Sequence, residues 1–393
     1  MKSIKLWKRG TVEVLIFDSV GANLLQCCVP RNVSSRIFDS RQTLPVFCDL
    51  RFLLSLTAKF VIHFIRDLQP TSPTHILHKA FLEHLSPRLI LSFVDNNRFL
   101  ADYSIEHPEI PIVLVQNALR DEAGSIQKGK ALPIYLALGA VEKELFRDLA
   151  IECQKYIPIG SLKLGLALAQ SRSTTCRHAD LSLISHYRVD MSTQQPDSNT
   201  MHAMIERNQR GLFELCCRYA FKMGFDLQVL AKGRSPYEQE AEEIYFLNIL
   251  RNLDLDLRVR FVHSDKNEGQ FNSYHAGFNT DLIIHPFSTL GFELLASGKK
   301  VMLGATLDPE LISNWGVYKY LHHLPDELML KNGDQSTLFA QIDFIRNMAE
   351  FDYQALALSA GQKIVAMPHV GSPQGEILEI VRQNIDPSPK QLR

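Results

Sequence analysis

TDLIIHPFSTLGFELLASGKKVMLG, residues Thr280–Gly304, is the stretch from which the fold follows. Its apolar run Leu282-Ile283-Ile284 is a buried strand, and it stops at His285-Pro286 because proline cannot continue a central strand. Ser288-Thr289 then open an amphipathic segment, Leu290–Ala296. Gly298 stops that helix, and Lys299-Lys300 lie just past its electronegative end. Val301-Met302-Leu303 forms a second buried strand, completing a β–loop–α–β unit. The hydroxyls of Ser288 and Thr289 stand where backbone N–H groups and the helix dipole favour an anion, with the carboxylate of Glu293 one turn further on.

The same alternation runs in both directions from this unit. Upstream, the strand-like runs are Val12–Phe17, Leu89–Phe93, Ile112–Val115, Ile134–Leu138 and Tyr156–Ile159. Helical patterns lie at Leu50–Asp67, Ile76–His84, Arg98–Glu106 and Val141–Cys153. Residues 169–180 are polar and rich in Ser, Thr and Arg, which reads as a link. A second series follows: strand Leu181–Ser185, polar loop Met191–Thr200, helix His202–Met223, strand Asp226–Leu230, helix Glu238–Leu253, strand Arg258–Val262 and helix Gln270–Phe278. Later elements are expected at Leu321–Leu330 and Ser336–Met348, with a final helix at Gln374–Ile385 and a frayed tail beyond it. Alternating strands and helices specify parallel sheets covered on both faces. The expected plan is therefore α/β: two tandem Rossmann-like parallel-sheet domains, 1–170 and 181–370, joined by a linker at 171–180 and followed by a terminal helix and tail at 371–393. Ligands of open parallel sheets bind outside the carboxyl ends of the strands, so two such domains would face a central cleft, the GT-B arrangement.

Composition narrows the function classes. A 393-residue chain with 46% apolar and 22% charged residues is ordinary for a soluble globular protein of two domains. A net charge of −1 argues against nucleic acid as the partner. The seven cysteines form no CxxC pair, which suggests reduced thiols in a cytosolic protein and no zinc site. The greasiest helix, Leu50–Phe64, carries Arg51, Lys59 and His63 and falls short of the ~20 apolar residues of a membrane span. Peripheral contact with the inner membrane through that helix and the basic N-terminus (Lys2, Lys5, Lys8, Arg9) competes with plain packing on a sheet.

Several further segments carry a resemblance. They are LIFDSVGAN (Leu15–Asn23), LILSFVDNNRF (Leu89–Phe99), IPIVLVQNALRDE (Ile110–Glu122), IPIGSLKLG (Ile157–Gly165), LISHYR (Leu183–Arg188) and VLAKGR (Val229–Arg234). Taken in order with the opening stretch, they resemble a family of bacterial surface-carbohydrate-biosynthesis transferases of GT-B type, distant relatives of teichoic-acid and capsule transferases. The resemblance implies a nucleotide-sugar donor in the second domain, a glycan or lipid-linked acceptor in the first, and no cofactor or metal. On the donor side, Ser288 and Thr289 would meet phosphate, Glu293 the ribose hydroxyls, Lys232 the phosphate charge and His285 the diphosphate or sugar. Each has a plainer role open to it: helix cap, solvated helix residue, strand-end lysine, loop histidine. On the acceptor side, Asp95 and Asp18 each follow a strand and could act as the catalytic base or as an N-cap. Gln116, Asn117 and Arg120 form a polar cluster that could bind the acceptor or simply brace a loop. Gly160, Ser161, Ser185, His186 and Arg188 flank the link. No DxD follows a strand, so leaving-group charge would fall to a helix N-terminus and to cations.

The leading expectation is a metal-independent glycosyltransferase in the cytoplasm or at the inner face of the membrane. A sugar-nucleotide epimerase or polyol-phosphate transferase would share the fold, and a non-catalytic partner in glycan assembly is the third reading. The base, sugar, acceptor and stereochemical outcome do not follow from fold analogy.

Overall fold

The computed structural model of the protein describes residues 3–7, 12–41, 43–47, 50–65, 72–120, 129, 131–171, 176–189, 200–264, 269–307, 309–315, 318–367 and 372–385. The expected loop at Met191–Thr200, apart from Thr200, and the tail after Ile385 lie outside the described residues, as do residues 172–175 of the expected link. The first half contains strands β1 (Ser3–Trp7), β2 (Val14–Phe17), β3 (Ser35–Phe38), β4 (Thr43–Phe47), β5 (Leu89–Ser92), β6 (Ile112–Val115), β7 (Ala131–Ala137) and β8 (Glu152–Pro158). The second contains β9 (Ala179–Ile184), β10 (Leu227–Leu230), β11 (Val259–Val262), β12 (Thr280–His285) and β13 (Val301–Leu303). The helices are α1 (Ala22–Gln26), α2 (Leu50–Ile65), α3 (Pro73–Leu85), α4 (Arg98–Glu106), α5 (Glu142–Asp148), α6 (Leu162–Ser171), α7 (Met201–Met223), α8 (Pro236–Asn252), α9 (Asn272–Phe278), α10 (Thr289–Ala296), α11 (Pro309–Trp315), α12 (Tyr318–Leu321), α13 (Gln335–Asn347), α14 (Glu350–Ile364) and α15 (Pro373–Ile385).

Two sheets organise the molecule, and every strand pair in them is parallel. The first has the order β3-β2-β5-β6-β7-β8 and the second β11-β10-β9-β12-β13. In each sheet the winding direction reverses once, between β2 and β5 and between β9 and β12. The crevice at such a reversal is where an open parallel sheet binds its ligand. The central strands VLIF, LILS and IVLV are buried at every position, as continuous apolar runs must be when helices cover both faces. Fully burying each Leu, Ile or Val there stabilises the fold by about 1.5–3 kcal/mol before entropy is counted. The central strands therefore lie close to where the apolar pattern places them.

Several segments differ from the sequence expectation, among them the strand β3 and the 15-residue helix α14, where no element was expected. The helix expected over Val141–Cys153 ends at Asp148. The chain turns at Ala150, whose φ is 52°, and Ile151 N–H donates to Phe146 O (2.8 Å) before β8 begins at Glu152. The expected strand at Tyr156–Ile159 is the second half of β8; its first half, on an edge strand with mostly solvated side chains, has no apolar period to announce it. The expected link is largely structured: α6 runs to Ser171 and β9 starts at Ala179. A two-stranded parallel pair, β1 with β4, was not anticipated.

The chain returns to its first half at the end. Ala140 N–H donates to Lys363 O (2.9 Å) and Ala366 N–H to Leu138 O (2.7 Å), tying the end of α14 to the loop after β7. The last helix, α15, then packs on α6, and Gln374 Nε2 donates to Cys27 O (3.0 Å). A Cβ on Gly139 would stand 2.2 Å from Ile364 O, so only glycine admits the crossing. Gly139→Ala should destabilise the protein by about 1–3 kcal/mol through overpacking, read as a lower urea midpoint at unchanged m-value.

Candidate functional site

The carboxyl edge of the second sheet opens onto a cleft of about 330 Å³. Its wall includes Ser185 and His186 after β9, Lys232 and Arg234 after β10, and Ser288, Thr289 and Glu293 at the start of α10. The opposite wall comes from the first half: Asn117 and Arg120 after β6, and Lys163 on α6. The second sheet's reversal point, between β9 and β12, thus opens into this cleft. Cations outnumber carboxylates on the described walls, which suits a polyanionic ligand.

Three local devices fix the donor-side geometry. At the start of α10, Ser288 N–H donates to His285 Nδ1 (3.0 Å), so the buried imidazole rather than the Ser288 hydroxyl caps that N–H. Burial pushes His285 down to about 3, and the ring stays neutral. It packs on Gly291, where a Cβ would stand 2.4 Å from the ring. His285 is absent from the cleft wall and acts beneath it. The Thr289 hydroxyl accepts from Leu119 N–H (3.1 Å), joining α10 to the loop after β6. Among the described residues, no acceptor is bonded to the backbone N–H groups of Thr289, Leu290 and Gly291, the anion-favouring end of the helix.

Glu293 is 2% exposed, so it is no solvated helix residue. Ser161 Oγ donates to its Oε1, and Tyr274 Oη donates to its Oε2 at 2.6 Å. The carboxylate is thereby held rigid at the cleft wall. Beside it, the loop after β10 is shaped by buried Glu242, which accepts from Lys232 N–H (3.0 Å) and Gly233 N–H (2.7 Å). A capping box then starts α8, with Ser235 and Glu238 bonding each other's backbone N–H and Pro236 in the first turn. Glu238 also accepts from Arg234 N–H (2.9 Å). Lys232 and Arg234 consequently leave a braced backbone.

The first-half cluster is a buried network. Arg120 donates through Nε to Asp95 Oδ2 (2.7 Å) and through Nη2 to Oδ1, and Tyr135 Oη adds a bond to Oδ2 (2.8 Å). Asn117 N–H also reaches Asp95 Oδ1 (3.3 Å), while Asn117 Nδ2 donates to Phe93 O (2.6 Å). Gln116 Nε2 donates to Glu142 Oε1 and to Ala118 O (2.8 Å), and its Oε1 accepts from Leu138 N–H (2.6 Å). Tyr320, from α12, donates to Arg120 O (2.7 Å) and lies 2.9 Å from Glu142 Oε1, and its oxygen accepts from Arg120 N–H (3.1 Å). Among the described residues, the buried Glu142 Oε2 has no hydrogen-bond partner. Burial, helped by the nearby Asp95 charge, raises the Glu142 carboxyl to about 8, against the bonds from Tyr320 and Arg120.

Asp18 stands apart, at the reversal point of the first sheet. Its φ is 81°, a strained conformation for a residue with a side chain. Ser40 Oγ and Asn97 Nδ2 (3.0 Å) donate to its carboxylate, and Arg41 lies 3.8 Å away. Burial raises its pKa against those three influences. Neither Asp18 nor Asp95 is on the cleft wall.

The structure thus gathers Ser288, Thr289, Glu293, Lys232, Asn117 and Arg120 around one cleft and puts His285 and Gln116 behind it. Sequence reasoning missed Glu142, Glu242, Tyr135, Tyr274 and Tyr320, which are buried partners without motif context, and Lys163 and Arg234 on the wall. Arg234 stood in a quoted segment, and its place two residues beyond Lys232 after a strand was the available signal.

Two doubly wound parallel sheets with a cleft at their carboxyl edges define the GT-B fold. Solved structures agree in fold. A UDP-GlcNAc 2-epimerase from Methanocaldococcus jannaschii, in complex with UDP-GlcNAc and UDP, superposes with TM-score 0.52 at 10% identity over 95% of this chain and 99% of that one. A UDP-N-acetylglucosamine 2-epimerase from Rickettsia bellii gives 0.50 at 13% identity over 96% and 98%. The wall teichoic acid polymerase TagF gives 0.50 at 9% identity over 95% and 89%. The chain belongs to the family described as "putative O-antigen biosynthesis protein", whose model matches residues 150–373, more than half of its length. No curated protein matches it.

The Glu142 carboxyl generates a pH prediction. Between pH 4.5, its ordinary value, and about 8, the folded protein keeps a proton that the unfolded chain has lost. Stability therefore falls as pH rises through that window and levels off above it. Glu142→Gln should flatten this slope, seen as a pH-dependent gap in denaturant midpoints between variant and parent that widens up to about pH 8.

Proposed function

We propose that the protein is a glycosyltransferase that moves a sugar from a nucleotide-sugar donor to a glycan or lipid-linked acceptor in surface-polysaccharide biosynthesis. The observation that carries this reading is the donor-side wall. A braced pair of cations (Lys232, Arg234), the first-turn N–H groups of α10 and a rigid carboxylate (Glu293) converge on one cleft. A nucleoside diphosphate offers what each of them binds: phosphate charge for the cations and helix end, ribose hydroxyls for the carboxylate. As the glycosidic bond breaks, the same groups would stabilise the charge developing on the leaving diphosphate, with no metal required.

Within this reading, Asp95 holds Arg120 in place and is not the base, because Arg120, Tyr135 and Asn117 occupy its carboxylate. Asp18 is held in the same way by Ser40 and Asn97 and lies off the cleft wall, so neither carboxylate is taken as the base.

Titration calorimetry with UDP, CDP, GDP and dTDP tests the proposal. One nucleotide should bind, and Lys232→Ala or Glu293→Ala should weaken it by about tenfold or more. Failure of all four nucleotides to bind would sink the donor site. Isomerised nucleotide sugar formed without acceptor, seen by NMR, would make the protein an epimerase instead.

A further inference from the structure

The buried network leaves one end of Arg120 uncommitted. A guanidinium presents its N–H groups in a planar fork. Arg120 Nε and Nη2 are directed at Asp95, and Nη2 also donates to Asn117 Oδ1 (3.1 Å). Nη1 has no hydrogen-bond partner among the described residues, and it is not one of the side-chain atoms sealed from solvent. Arg120 is only 8% exposed, and it lines the cleft. The end of this buried side chain that solvent reaches is therefore Nη1.

Its position is fixed by what holds the rest of the fork. Asp95 follows β5, which adjoins β2 at the reversal of the first sheet, where an open parallel sheet receives its ligand. The guanidinium is thus anchored to the first sheet. Close by, Asn117 Nδ2 donates to Phe93 O (2.6 Å), and the Lys163 ammonium lies 5.2 Å from the centre of the Phe93 ring. Lys163 lines the same wall as Arg120. The described residues put no carboxylate on that wall; Asp121 and Glu122 lie outside them. Asp95 offsets the Arg120 charge from behind, so Arg120 supplies directed N–H groups and Lys163 the net charge.

A nucleoside diphosphate held by Lys232, Arg234 and the start of α10 would occupy the opposite wall. Arg120 and Lys163 are then left for the other reactant. We propose that the acceptor carries an oxyanion, a phosphate or a carboxylate, which binds Arg120 Nη1 and Lys163. A sugar hydroxyl also accepts from an arginine, but a charge-assisted bond to an oxyanion is roughly twice as strong, and the adjacent ammonium favours the anion. The anion subsite stands on its own geometry; that its occupant is the acceptor rests on the nucleotide-sugar reading.

Saturation-transfer NMR titrations with glycerol 3-phosphate and with glucuronate, each against its neutral counterpart (glycerol or glucose), test the subsite and separate the two anion sources. At least one anion should bind about tenfold or more tighter than its counterpart. Arg120→Lys keeps a cation for Asp95 but loses the second arm of the fork. In it, and in Lys163→Gln, the preference should fall by about fivefold or more. Lys163 is half-buried at the wall, so its variant reads the subsite even if Arg120→Lys misfolds. Nucleotide affinity should move less than about twofold in Arg120→Lys. Equal binding of anions and neutral counterparts, or a folded variant of either residue that keeps the parent's preference, would overturn the proposal. So would a preference for UDP-glucuronate over UDP-glucose that Arg120→Lys abolishes, which would give the anion to the transferred sugar. Failure of every nucleotide to bind, beside an anion preference that both variants lose, would remove the donor site and still support this subsite.

Discussion

The ion pair of Arg120 with Asp95 is the interaction on which the interior arrangement depends. Two charges removed from water are costly, and they are tolerated only when geometry and extra hydrogen bonds satisfy them. Here the fork of Arg120 meets both carboxylate oxygens, Tyr135 fills in behind, and the Arg120 main chain is gripped by Tyr320 from the other half of the molecule. The loop after β6 can therefore take few positions. That loop is one wall of the cleft, and Leu119 within it is bonded to Thr289 on the other wall. The spacing between the walls is set by buried electrostatics rather than by apolar packing alone.

On the donor side, the same logic recurs with different residues. Carboxylates shape the backbone from behind: buried Glu242 holds the turn that carries Lys232, and the partly exposed Glu238 holds that of Arg234. A buried neutral imidazole does the same for Ser288. Each residue facing the cleft is thus oriented by one that does not, which is the pre-organisation a binding site for a charged ligand requires.

How much of this was legible in the chain follows from the physics of each part. Central strands such as Leu89–Ser92 and Ile112–Val115 announce themselves, because burial on both faces demands unbroken apolar runs. The edge strand β8 does so only over Tyr156–Pro158, since its solvated first half loses the apolar period. Ser288, Thr289 and Glu293 were readable because a strand, a proline stop and a helix start place them locally. Tyr274, which holds Glu293, carries no motif, and Ser161 stood in a quoted segment whose partner 132 residues away the sequence does not reveal. Likewise Tyr320 meets Arg120 across 200 residues, a pairing only tertiary structure can reveal. The role of His285 changed for a related reason. A histidine at a strand end looks ligand-facing until the lack of a Cβ on Gly291 shows where its ring goes.

The return of the last helix to the first half bears on how the chain is made. Gln374 meets Cys27 across 347 residues, and α15 covers α6 only after the whole second half has been synthesised. During translation the first sheet therefore emerges early but lacks part of its covering until α15 leaves the ribosome. Its apolar surface stays uncovered for the time needed to make the rest, at about 5–20 residues per second a matter of tens of seconds. A chain laid out in this way ties completion of its earliest part to completion of its latest, so a ribosome that stalls before α15 releases a first half with an open flank.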